Sequence, residues 1–94
     1  MRQGERQALR TIKYRAKINA FGYSDHAYQS MVMDSIYEED VKRAFATGRL
    51  LEVRELPPRG VAYILSGFGM NEESLVLICR LLRQKVRVED LYWD

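Results

Sequence analysis

Ninety-four residues with a net charge of +2 at pH 7 fit one domain, residues 1–94. A chain of this length buries roughly 60–65% of the surface it exposes unfolded, enough for one modest core. The single cysteine, Cys79, excludes an intrachain disulfide, and no run approaches the length of about 18 apolar residues that spans a bilayer.

The opening MRQGERQALR has no apolar segment of the signal-peptide kind, so a soluble cytoplasmic protein is expected. Charge is unevenly spread. Residues 1–20 carry six Lys and Arg against one acid, whereas residues 21–41 carry five acids and no Lys or Arg. Such a split fits a basic side facing RNA or phosphate, or simply solvated helix faces.

In chain order, residues 5–20 read as a helix, because Ala8, Leu9, Ile12 and Ala16 recur at helical spacing and no Gly or Pro interrupts them. Gly22 is placed as its stop. Ser24 or Asp25 caps a second helix to about Met33, with Ala27 and Met31 facing inward. A third helix, about Glu38–Thr47, has three acids at its positive end, a staple of Ile36 on Val41, and Gly48 as a left-handed terminus. The triplet Glu38-Glu39-Asp40 resembles an acid cluster, but helix-dipole complementarity accounts for it more simply.

The pattern then changes to strands at 50–56, 61–68, 74–82 and 86–93. Between them lie the turn Pro57-Pro58-Arg59-Gly60, a polar loop and a short turn at 83–85. Three short connections favour an antiparallel meander. The expected class is α+β, with two to three N-terminal helices on one face of a four-stranded, mainly antiparallel sheet.

Chemistry is sparse. There is no Gly-rich phosphate loop, and one His with one Cys supplies neither a nucleophilic dyad nor a metal-ligand set, so no cofactor is expected. What remains is Arg, Lys, Tyr and His. RNA cleavage through the 2′-hydroxyl needs a base, cations to offset phosphate charge, and an acid. Arg54, Tyr63, Arg80, Arg87 and Tyr92 are strand positions that can share one sheet face. Arginine forks suit phosphate and tyrosines stack on bases. The candidate catalytic set is His26, Arg54, Arg80 and Tyr92, and the RNA-binding set is Arg49, Tyr63, Lys85 and Arg87.

The run Tyr23-Ser-Asp-His-Ala27, followed by Met31, Asp34-Ser-Ile36, Asp40-Val41, Ala44 and Gly48, resembles the bacterial family called domain of unknown function 4258. The later YILSGF, SLVLIC and Tyr92 also fit its strand pattern, so the resemblance spans about residues 8–92. That family is similar to the RelE and BrnT toxins. The resemblance implies a type II toxin with endoribonuclease activity on mRNA, a cognate antitoxin protein as partner, and RNA or the ribosome as target. His26 is the position it carries across, as general base or RNA contact.

Two departures stand out. Many members have arginines in the helix after the His, where this chain has Ser30 and Asp34. Many have a His in the strand where this chain has Leu75, Val76 and Leu77. They support an alternative, a non-catalytic binding or regulatory module of the same fold. A further expectation is a homodimer through the last strand, whose Leu91-Tyr92-Trp93 end reads as an exposed edge.

Overall fold

The computed structural model of the chain describes residues 3–55 and 60–94. The first helix, α1 (Gln3–Lys17), starts the chain and a three-residue strand, β1 (Phe21–Tyr23), follows. Next come α2 (Asp25–Met33), α3 (Glu38–Thr47), β2 (Arg49–Glu55), β3 (Val61–Phe68), β4 (Ser74–Leu81) and β5 (Val86–Trp93). The strands form one sheet in the order β1-β5-β4-β3-β2. Neighbours from β2 to β5 are antiparallel, and β1 runs parallel to β5, Phe21 opposite Val86 and Tyr23 opposite Val88.

Three helices and an α+β order are as the sequence indicates, but the sheet has a fifth strand and is mixed. Helix α1 stops at Lys17, five residues before Gly22. Asn19 takes the left-handed position with φ 62°, Asn19 N–H donates to Ala16 O, and Ala20 N–H donates to Arg15 O. That pair of bonds is a Schellman C-terminus built on Asn instead of Gly. Releasing the chain there lets Phe21-Gly22-Tyr23 extend along β5. Asn19→Ala keeps a Cβ in the left-handed region but removes the short polar side chain whose local hydrogen bonding lets Asn sit there. It should lower unfolding stability by about 1 kcal/mol, read from urea denaturation at unchanged slope.

The second helix is capped as its sequence suggests, Ser24 Oγ accepting from Ala27 N–H at 3.0 Å. The third keeps its acidic first turn, and Ile36 and Val41 are both buried, as a hydrophobic staple requires. Gly48, however, is not left-handed: φ is −68° and ψ 147°. Its glycine answers to space instead, because a Cβ there would lie 2.6 Å from Ala44 O.

Side chains from all three helices join one buried cluster with Leu65, Leu75, Leu77, Cys79, Val86, Val88 and Leu91. Side chains alternate along a strand, so those sheet residues mark the helix-covered face. The opposite face carries Ala62, Ile64, Val76 and Ile78 between long polar side chains. No helix among the described residues is long and apolar enough to cross a membrane. Of the proline turn only Gly60 is described, with φ 98°; Leu56, Pro57, Pro58 and Arg59 lie outside the described residues, as does Arg2.

Candidate functional site at the β5 bulge

The strand register lays out the open face in rows. Arg49, Ser66, Val76 and Tyr92 form one row from β2 to β5. Glu52, Ile64, Ile78 and Asp90 form the next. In the third, Arg54 faces Ala62 and Arg80 faces Arg87. Strands lie about 4.8 Å apart, so Arg80 and Arg87 are immediate neighbours.

The pairing of β4 with β5 slips between Ile78 and Cys79, which leaves Glu89 as an extra residue in β5. A bulge re-aims neighbouring side chains, and here it sends two consecutive carboxylates to different partners. Glu89 Oε1 accepts from Arg87 Nε at 2.8 Å and lies 3.5 Å from Arg80 Nε, so one carboxylate holds both arginines. Asp90 Oδ1 lies 3.2 Å from His26 Nε2 on α2. The first turn of α2 is bolted to the same place, since Ser24 N–H donates to Val88 O and Ser24 Oγ–H to Glu89 O. His26 itself stays open to solvent, its side chain 68% exposed.

Among the expected site residues, Arg49, Arg54, Arg80, Arg87 and Tyr92 therefore share the open face. His26 stands against its β5 side through Asp90. Tyr92 sits two residues past Asp90 and is exposed. Arg54 is paired with Glu52 at 2.6 Å. Tyr63 must be corrected: it is opposite Cys79 and packs on the buried cluster, so it lies on the helix-covered face and not with the arginines. The reason is that VAYILSGF is apolar nearly throughout, and only its register tells which residues face out. Lys85 lies in the β4–β5 turn, where its carbonyl accepts from Leu82 N–H and the Arg15 guanidinium.

Glu89 and Asp90 organise the site, yet sequence reasoning passed over both. A signal for them exists: inward Val86 and Val88 are followed by inward Leu91, a three-residue step where strict alternation gives two.

Cys79 is fully buried, and burial followed by the nearby Glu89 charge pushes its thiol well above the usual range; it is core, not a nucleophile. Burial, then Glu38, likewise raises the Tyr23 phenol, whose hydroxyl donates to Glu38 Oε1 at 3.4 Å. The described residues contain no group of three or more His, Cys, Asp or Glu side chains placed to hold a metal. Two basic residues of α1, Lys13 and Lys17, line a separate cleft of about 630 Å³ with Lys42, Ala16 and Phe45.

A family model for the domain of unknown function 4258 (DUF4258) matches residues 23–93. The chain belongs to the DUF4258 family. The match runs from the end of β1 to the end of β5, so it contains α2, the bulge and the whole open face, while α1 lies outside it. No curated protein and no solved structure matched the chain.

Proposed function

We propose that this DUF4258 protein is an endoribonuclease of the RelE-like kind, acting on mRNA as the toxin of a toxin–antitoxin pair. The observation that carries the reading is the His26–Asp90 contact beside the Glu89-held pair Arg80 and Arg87. In this mechanism His26, oriented by Asp90, takes the proton of a ribose 2′-hydroxyl. The 2′-oxygen bonds to phosphorus, the bond to the 5′-oxygen breaks, and a 2′,3′-cyclic phosphate results. Arg80 and Arg87, with Arg54 further along the row, offset the charge on the phosphoryl oxygens. Tyr92 stacks on a flanking base or returns a proton to the leaving 5′-oxygen.

Inducing the wild-type chain in a bacterial host should arrest growth and cut mRNA. His26→Ala, checked for native circular dichroism, should slow cleavage by the purified protein about hundredfold, the scale of one lost proton-transfer group. Normal growth with intact message at high expression removes the reading.

One observation favours a second, non-catalytic reading. Arg54, Arg80 and Arg87 each already face a glutamate, so the open face can serve as a binding surface whose cations are pre-positioned rather than reactive. On that reading RNA or a partner protein is retained without turnover, and His26→Ala changes nothing.

A further inference from the structure

We infer that the outward face of α2 and the turn into α3 form a docking groove for a basic amphipathic helix of a partner protein. The inference does not depend on RNA cleavage, since it concerns a different surface from the open sheet face.

Three large apolar side chains line one small area and remain in solvent: Tyr28 at 62%, Val32 at 67% and Tyr37 at 64% exposure. Scattered exposed apolar residues need no account, but a contiguous group of this size on a small protein marks an interaction surface. They are not flat. Tyr28, Val32 and Tyr37 wall a groove of about 360 Å³ whose floor is the nearly buried Met31 and Ile36. The left-handed Ser35, φ 53°, and the Ile36 N–H to Met31 O bond at 3.0 Å hold the α2–α3 turn in the shape that makes this groove. It is therefore pre-formed. Tyr28 and Val32 are one helical turn apart, matching the i, i+3, i+4 spacing by which an amphipathic helix seats its apolar anchors.

The rim decides the occupant. Glu38 lines the groove, Asp34 lines the adjoining cleft that shares Ser35 and Tyr37 with it, and Asp25 lies one helical turn before Tyr28. Lys42 reaches Glu38 only at 3.9 Å, and residues 21–41 contain no Lys or Arg. A second copy docked face to face would set these acids against one another, and an anionic lipid surface would repel them. A helix with apolar anchors and flanking Lys or Arg satisfies both the floor and the rim.

The test uses the full chain and a fluorescein-labelled four-turn helical peptide with Leu at the anchor spacing and Lys elsewhere, compared with the same peptide carrying Glu in place of Lys. Fluorescence anisotropy should show the Lys peptide binding at least about tenfold tighter at low salt, with the advantage shrinking as salt rises. Tyr28→Ser with Val32→Ser should weaken the Lys peptide by at least about tenfold. Asp34→Lys, a cation placed at a helix C-terminus and so well tolerated, should weaken it several-fold while leaving the fold intact. Equal binding of the two peptides, or binding unchanged by both variants, overturns the proposal. So does a wild-type dimer in sedimentation that the double variant converts to monomer, because the face would then belong to a second copy.

Discussion

Gly67→Ala is expected to destabilise the domain by about 3 kcal/mol or more, and Gly67→Val to abolish cooperative folding. Helix α3 crosses β3 at this glycine. A Cβ there would lie 2.1 Å from Ala44 O and 2.8 Å from Ala44 C and Cα. Those are backbone atoms of a helix, so no side-chain rotation relieves the clash, and the helix itself has to lift. Lifting it strips cover from Val41, Ala44 and Phe45, none more than 1% exposed. A chain of this length has a total stability of about 5–14 kcal/mol, so losing even part of that contact is a large fraction of the whole. Gly22→Ala is the control: a Cβ at Gly22 meets nothing within 4 Å, and its effect should stay within about 0.5 kcal/mol. Urea unfolding of both variants reads the difference directly. A Gly67→Ala protein as stable as wild type would mean that α3 does not seat on β3 as described.

How much of this was legible in the sequence depended on how local each signal is. The third helix was readable almost to the residue, because its acids, staple and apolar face all lie within a dozen positions. Gly48 was placed correctly but for the wrong reason, since a backbone that needs space and a backbone that needs a positive φ both ask for glycine. β1 was missed because three residues containing a glycine are too short to show alternation, and its partner β5 lies over sixty residues further along the chain. Its pairing with β5 reaches only Val88, so the Leu91–Trp93 end of β5 is not covered by β1. For the site, the sequence supplied His26, the arginines and Tyr92 and allowed the strand residues one shared face, with Tyr63 wrongly among them. Their grouping is a matter of register, and the bulge that sets it was written in the Val86, Val88, Leu91 spacing. That His26 faces Asp90, by contrast, follows only from α2 docking its first turn on β5 through Ser24, a tertiary contact no spacing announces.

Asp40→Ala should be the costliest polar substitution in the domain, at about 3 kcal/mol, because this one carboxylate joins two elements. It is 7% exposed, the only buried polar or charged side chain among the described residues. Oδ2 accepts from Tyr37 N–H at 3.0 Å, satisfying a donor at the start of α3. Oδ1 accepts from Met70 N–H at 2.8 Å in the loop between β3 and β4. Hydrogen bonds to a charged acceptor contribute roughly 1.5–3 kcal/mol each, and truncation leaves two donors without partners in a site mostly closed to water. Asp40→Asn separates acceptor number from charge. Its single oxygen serves one donor while its amide confronts the other, so it should recover only part of the loss. The local consequence is as informative as the global one. Hydrogen exchange at Met70 and Tyr37 should accelerate together in Asp40→Ala, while exchange at Leu77, in the buried centre of β4, changes only in step with overall stability. If Met70 alone speeds up, the carboxylate pins the loop and the start of α3 is held by its staple, Ile36 on Val41, without help from Asp40.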